Sequence, residues 1–229
     1  MAHKILFDDG FNDYLTEGAE FEGKDQIPKL VKQDYVEVPK QLILFTKARK
    51  ATDKRGFVHF YQHDKFFFSF LNNPKKYLNL LSQFDGVITP DPTIMIGRSR
   101  TRHVASTYMN RAIGFYLQKN GIPIIPNIRW GDESTYEFAF LGVRKNSIVA
   151  ISTTGAIKKD SMTNNILRDC FKNGLKNMLE YLSPSKVIVY GSMPNDIFGE
   201  LINKFEFIRF PSEIEIAYKK ESDWYGCYI

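Results

Sequence analysis

Short, continuously apolar segments of the chain alternate with longer segments in which apolar residues recur at helical spacing. The short segments lack the apolar–polar alternation of a half-exposed strand, which is typical of strands buried on both faces of a parallel sheet. We predict strands at 42–45, 57–61, 86–89, 122–126, 148–152, 186–190 and 205–210, with 214–218 as an eighth strand or an antiparallel edge.

Helical patterns lie between these predicted strands. Residues 102–119 place apolar side chains on one face, and residues 164–182 carry an apolar stripe that Pro184 ends. Shorter helices are predicted at 74–82 and 195–203. The alternation of strand and helix predicts an α/β fold with parallel strands.

Polar residues follow nearly every predicted strand, and this pattern selects between two architectures. It favours a compact or incomplete (β/α) barrel, because the loops of a barrel meet over one mouth. An open doubly wound sheet, which concentrates polar groups near one switch point, is the second choice. Residues 1–38 carry acids and few periodic apolar positions, so we predict an N-terminal extension packed on a single domain of residues 39–229.

The composition places the chain among globular proteins. Hydrophobic residues make up 43% of its 229 residues, which can support a substantial core. No apolar segment reaches the roughly 18–20 residues that span a membrane, and residues 1–6 lack the features of a signal peptide. We therefore expect no membrane association and a cytoplasmic location. The two cysteines, Cys170 and Cys227, indicate neither a disulfide framework nor a metal site.

The first group of candidate site residues follows the predicted strands 86–89 and 122–126. Asp91 stands where a carboxyl group suits acid–base chemistry, although it could instead cap a turn. Arg129 can hold a phosphate through two parallel hydrogen bonds, with Asn127 beside it. Trp130 could stack on a ring or fill the barrel, and Asp132 is either a second catalytic carboxyl group or part of an acidic first helical turn.

A second group of candidates consists of small residues after the next two predicted strands. Thr153, Thr154 and Gly155 follow one strand, and Gly191 and Ser192 follow the other. Loops of this kind expose main-chain N–H groups that suit anions, although the same residues are common in any loop.

Arg111 lies within the long predicted helix 102–119. It could reach a ligand at the strand ends, or it could form a buried pair with Asp85 or Asp91. The chain has no P-loop, GxGxxG, HExxH, CxxC pair or GxSxG sequence, so no cofactor or reaction is indicated by these motifs.

Four strings of the sequence are distinctive when taken together. They are Phe84-Asp85-Gly86-Val87-Ile88-Thr89-Pro90-Asp91, Asn110-Arg111-Ala112-Ile113-Gly114, Ile125-Pro126-Asn127-Ile128-Arg129-Trp130-Gly131-Asp132 and Val189-Tyr190-Gly191-Ser192. In this order they resemble an uncharacterised family of bacteriophage and Gram-positive mobile-element proteins that is marked by an FDG motif. The resemblance spans roughly residues 40–200 and implies a phage or mobile-element context, without an activity or catalytic residues to transfer.

Two classes of function remain open on these residues. The first is an enzyme that acts on a nucleotide, nucleic-acid or other phosphorylated substrate, with Asp91 and Asp132 as catalytic groups. The second is a non-catalytic binding protein for nucleic acid or a host protein, including an inhibitor of a host defence system. The net charge of +5, with basic clusters at 47–55 and 98–102, is compatible with nucleic-acid or nucleotide partners.

Overall fold

The computed structural model describes residues 12–33, 36–157 and 162–218. Its strands are β1 (Phe21–Glu22), β2 (Ile27–Pro28), β3 (Leu42–Leu44), β4 (Phe57–His59), β5 (Gly86–Ile88), β6 (Ile124–Ile125), β7 (Ile148–Ser152), β8 (Lys186–Tyr190) and β9 (Phe207–Phe210). Its α-helices are α1 (Phe45–Ala48), α2 (Phe68–Asn72), α3 (Leu78–Leu81), α4 (Arg100–Lys119), α5 (Tyr136–Ala139), α6 (Met162–Leu182) and α7 (Asn195–Phe198). Short 3-10 turns lie at Asp13–Thr16, Asp64–Phe66, Pro74–Tyr77 and Glu133–Thr135.

Strands β1 and β2 form a small antiparallel pair, and the other seven strands form two parallel sheets whose order follows the chain. One sheet runs β3-β4-β5-β6 and the other runs β7-β8-β9, and a parallel bridge between Asn127 and Ala150 joins them. A doubly wound sheet requires the strand order to reverse at one point, and no such reversal occurs here. Among the described residues β3 and β9 do not pair, so the barrel is open. The predicted parallel α/β fold in the form of an incomplete barrel is confirmed.

Both faces of the central parallel strands β4 to β8 are buried, which explains their continuous apolar sequence. Alternate side chains of one strand point to opposite faces. Val58, for example, joins the larger cluster between strands and helices, and its neighbour Phe57 joins a smaller cluster with Ile88 and Ile188. The smaller cluster fills the interior of the open barrel.

The predicted elements match the observed ones most closely where apolar periodicity is strongest. Strands β7 and β8 have the predicted bounds, and α4 and α6 each begin two residues before the predicted start. Strand β6 is reduced to two residues between Pro123 and Pro126, which lack the N–H group that a ladder needs.

The predicted eighth strand at 214–218 is wrong, because residues 213–218 are helical. Ser212 and Glu215 form a reciprocal cap at the start of this helix. The Glu215 main-chain N–H donates to Ser212 Oγ at 3.3 Å, and the Ser212 N–H donates to Glu215 Oε2 at 2.8 Å. A capping box of this kind favours a helix over a strand.

Residues 12–33 pack against the outer side of α4. Leu15, Ile27 and Leu30 are buried there, and the side chain of Gln118 exchanges two hydrogen bonds with the main chain of Val31. The helix is therefore covered on both sides, by the strands and by this segment. The boundary of a separate extension at residue 38 stays a prediction.

Gly174 in α6 allows the helix to approach Trp130 closely. A Cβ atom at this position would lie 2.1 Å from Trp130 Nε1, and the indole is itself buried against Phe171. We expect Gly174→Ala to lower the free energy of unfolding by about 1–2 kcal/mol, because overpacking outweighs the better helix propensity of alanine. Urea denaturation measures this change.

Asn173→Ala provides the matched control, because Asn173 is an exposed neighbour in the same helix. Its replacement should leave stability unchanged or raise it slightly. A Gly174→Ala variant as stable as the wild-type protein would contradict the proposed close contact.

Candidate functional site

A cavity of about 190 Å³ lies at the carboxyl ends of β5, β6 and β7, beside α6. We call it the strand-end cavity. Its walls are mainly apolar, and Thr93, Arg129 and Ser152 supply the polar side chains. The apolar walls come from the loops after β5 and β6 and from α6, with Ile94, Met95, Trp130, Leu167 and Phe171 among them.

Asp91 and Arg129 form an ion pair at the edge of this cavity. Arg129 Nη1 donates to Asp91 Oδ2 at 2.9 Å, and Asn127 Nδ2 donates to Asp91 Oδ1 at 2.8 Å. The Arg129 side chain remains 31% exposed, whereas that of Asp91 is 8% exposed. Burial raises the pKa of Asp91, and the Arg129 charge only partly opposes this effect.

Tyr61 continues this arrangement into the barrel, and the sequence reasoning did not identify it. Its hydroxyl group donates to Asn127 Oδ1 at 3.0 Å, which turns the amide nitrogen of Asn127 towards Asp91. The Tyr61 ring packs against those of His59 and Tyr190, with centroids 5.3 and 5.0 Å away. The sequence did contain a signal for this position, because Tyr61 lies two residues after His59 and alternate residues of a strand point to the same face.

Arg111 is buried and lies at the centre of a second hydrogen-bond network. Its Nε donates to the Leu141 carbonyl oxygen and its Nη2 to that of Ala139, both at 2.9 Å. Its Nη1 donates to the Asn127 carbonyl oxygen at 3.1 Å and to Asn110 Oδ1. Burial lowers the pKa of Arg111 to about 9, so the side chain stays charged at neutral pH.

Asn110 and Thr89 complete this network. Asn110 Nδ2 donates to the carbonyl oxygens of Pro90 at 2.6 Å and Asn127 at 3.2 Å. The Thr89 hydroxyl group donates to Asn110 Oδ1 at 3.1 Å and accepts from the Asn127 N–H at 2.8 Å. We call Thr89, Asn110, Arg111 and Asn127 the buried polar network.

The partners of Arg111 differ from those that the sequence suggested. The alternative of a pair with Asp85 or Asp91 is wrong, because the guanidinium group reaches main-chain oxygens at the end of β6 and beside α5. Arg111 is 1% exposed, so a direct ligand contact would require a rearrangement of the surrounding chain. Its ligand-binding role stays a prediction.

The loops after β7 and β8 contact each other. Thr153 Oγ1 donates to the Ser192 carbonyl oxygen at 2.9 Å. Gly191 has a φ of 110°, and a Cβ atom there would lie 2.6 Å from Thr153 Oγ1. Gly155 lines the strand-end cavity, whereas Thr154 is exposed.

The remaining predicted residues have structural partners. Trp130 is 7% exposed and packs on Phe171 and Phe140, with ring centroids 5.2 and 6.2 Å away. Asp132 accepts hydrogen bonds from the main-chain N–H and hydroxyl group of Ser134, at 3.1 and 2.5 Å. Cys227 lies outside the described residues.

The described ranges contain neither a cluster of metal ligands nor a membrane-spanning helix. No group of three or more His, Cys, Asp or Glu side chains in these ranges is arranged to hold a metal ion. None of the helices described is both long and apolar enough to cross a membrane.

The chain belongs to the DUF4417 family, a domain of unknown function whose sequence model matches residues 19–211. This match and the two phage relatives described next confirm the resemblance to an uncharacterised, phage-associated family.

Two similar proteins are the Gene 1 proteins of Mycobacterium phages L5 and D29. The L5 protein is 27% identical over 171 residues, which cover 73% of this chain and 72% of the relative. The D29 protein is 28% identical over 201 residues, which cover 86% of this chain and 71% of the relative. No solved structure matches the chain.

The raised pKa of Asp91 predicts a pH-dependent difference between the wild-type protein and Asp91→Asn. The pKa of Asp91 is higher in the folded protein than its ordinary value of 3.8, so the folded state keeps this proton at pH values at which the unfolded chain has lost it. The protein therefore loses stability as pH rises from 3.8 through the folded pKa. The variant lacks this loss. Its stability relative to the wild type should therefore increase from pH 3.5 towards pH 7, as measured by urea denaturation. A relative stability that is constant or falls over this window would contradict the pKa assignment.

Proposed function

We propose that the protein binds a small phosphorylated ligand at the strand-end cavity, and that nucleotides are the class best suited to it. The observation that carries this proposal is an apolar cavity at the carboxyl ends of parallel strands with Arg129 at its edge. The carboxyl ends of parallel strands are the usual location of ligand sites in α/β folds.

The size of the cavity limits which part of a ligand can enter it. Its volume of about 190 Å³ is below the roughly 300 Å³ at which pockets for drug-sized molecules begin. The Met95 and Leu167 side chains and the Trp130 indole provide apolar walls. A single ring or a short apolar group suits this space, and the charged part of the ligand must lie outside it.

Arg129 is suited to a negatively charged group at the edge of the cavity. Asp91 bonds to Nη1, which leaves the rest of the guanidinium group for a ligand. Because Asn127 holds the other Asp91 oxygen, the ion pair fixes the direction of Arg129 before a ligand arrives. Gly155, in the adjacent wall, brings main chain to the same cavity.

Binding without catalysis is favoured over an enzymatic role. Both oxygen atoms of Asp91 are already bonded, and Asp132 caps the turn at Glu133–Thr135. An enzymatic role would depend on Asp91, because a buried carboxyl group with a raised pKa can serve as a general acid.

Nucleic-acid binding across both basic clusters is less well supported. Three cations of these clusters pair with carboxylates, namely Lys47 with Glu213, Arg55 with Asp53, and Arg100 with Asp25 and Glu137. Their charge is therefore partly neutralised. A host-protein partner and a role against host defence stay predictions.

Ala156→Leu tests the cavity directly. Ala156 lines the cavity, and a larger side chain there should fill the space that we assign to the ring. We expect at least about a tenfold loss of affinity for nucleosides and nucleotides, which corresponds to about 1.4 kcal/mol. Isothermal titration calorimetry with the four ribonucleosides and their 5′-monophosphates measures this loss.

Ala51→Leu is the matched control, because Ala51 is a partly buried alanine that packs elsewhere in the larger core. Circular dichroism should give both variants the wild-type spectrum. If Ala156→Leu bound every compound as the wild-type protein does, or if the wild type bound none, the proposed function would be rejected.

A further inference from the structure

A second concave site lies beside the strand-end cavity, at the start of α4. It is a cleft of about 310 Å³ lined by Thr93, Met95, Arg98, Arg102 and His103. We call it the arginine cleft. Thr93 and Met95 line both the arginine cleft and the strand-end cavity, so one loop forms a wall of each.

Arg98 and Arg102 differ from most other arginines of the protein. Both are exposed, and within the described ranges neither guanidinium group has a hydrogen bond or an ion pair to another residue. By contrast, Arg55, Arg100, Arg129, Arg168 and Arg209 each pair with a carboxylate. The arginine cleft therefore holds two guanidinium charges that no carboxylate neutralises within the described ranges.

The position of Arg102 also favours an anion. Arg102 lies in the first turn of α4, where the unpaired N–H groups of the helix disfavour a cation. Arg100, in the same turn, is compensated by Asp25 and Glu137, whereas Arg102 is not. A bound anion would interact favourably with the helix start and with both unpaired arginines.

The wall of the cleft formed by Thr93 and Met95 is held by hydrogen bonds with three neighbouring residues. The Thr93 N–H and hydroxyl group donate to the two carboxylate oxygens of Asp64, at 3.1 and 2.8 Å. The Ser106 hydroxyl group donates to the Thr93 carbonyl oxygen at 3.1 Å, and His103 Nε2 lies 2.8 Å from the Met95 carbonyl oxygen. Because His103 is 4% exposed, this anchor is held inside the fold.

We infer that Arg98 and Arg102 bind the phosphate of the ligand whose ring occupies the strand-end cavity. This inference rests on the proposed function and extends it, because Arg129 can take one negatively charged group at the edge of the cavity and any further phosphate needs a neighbouring site. Arginine suits phosphate because its planar guanidinium group donates two parallel hydrogen bonds. With two such groups in the cleft, the ligand class is a nucleoside polyphosphate or a nucleotide within a single strand.

The experiment compares phosphorylated and unphosphorylated probes on the full chain. The double variant Arg98→Gln/Arg102→Gln and the wild-type protein are titrated with the four ribonucleosides and their 5′-triphosphates at fixed salt concentration. We expect the double variant to lose at least about tenfold in affinity for the best triphosphate, because charge-assisted hydrogen bonds are lost. Its affinity for the matching nucleoside should not change.

The control is Arg144→Gln/Lys204→Gln, which removes the same charge from two exposed positions outside the arginine cleft. We expect it to change triphosphate affinity by less than about twofold, because screened long-range charge contributes little. Triphosphate binding that is equal in the wild type and the double variant would overturn the inference, as would an equal loss in the control.

Failure of this inference and failure of the proposed function give different results. If Ala156→Leu weakens nucleoside binding but the double variant binds triphosphate normally, only the arginine cleft is rejected. If the wild-type protein binds no probe, both proposals are rejected. Competition with a short single-stranded oligonucleotide distinguishes the two sources of phosphate. The recognised source is the one that binds the wild-type protein more tightly and whose affinity falls in the double variant.

Discussion

The burial of one charged side chain, Arg111, constrains the strand ends on which the candidate site depends. A buried guanidinium group is costly unless its N–H groups find partners. Arg111 meets this requirement with carbonyl oxygens of Asn127, Ala139 and Leu141, and with the side chain of Asn110. It therefore ties α4 to the end of β6 and to the segment that follows α5. Residues 12–33 cover the outer side of the same helix.

Asn127 transmits this constraint to the cavity. Its carbonyl oxygen accepts hydrogen bonds from Arg111 and Asn110, and its N–H donates to the Thr89 hydroxyl group. Its side chain is thereby held between the Tyr61 hydroxyl group, which donates to Oδ1, and Asp91, which accepts from Nδ2. The ion pair of Asp91 with Arg129 at the edge of the cavity thus rests on a chain of buried hydrogen bonds that begins at Arg111.

Apolar periodicity predicted the architecture well. For the candidate site it predicted the location at the strand ends, but not which side chains contact each other there. The apolar runs of β7 and β8 have two buried faces, so their bounds could be read directly. The burial of Arg111 could not be predicted from the sequence. The sequence pattern shows a single apolar face, whereas every residue from Asn110 to Leu117 is buried. Asp91 and Arg129 lie in the loops that follow two neighbouring strands, and the direction of a side chain beyond a strand end does not follow from the apolar pattern. The helix at 213–218 was predictable in principle, since Ser212 and Glu215 have capping-box spacing.

If the buried polar network holds the strand ends together, the free energy of unfolding of Arg111→Met is the most direct measure of it. Methionine keeps an unbranched side chain but leaves the carbonyl oxygens of Ala139 and Leu141 without their guanidinium donors. We expect this variant to lose at least about 3 kcal/mol in urea denaturation. For Arg144→Met, a surface control, we expect a change within about 0.5 kcal/mol. Equal stability losses in the two variants would contradict a structural role of the network.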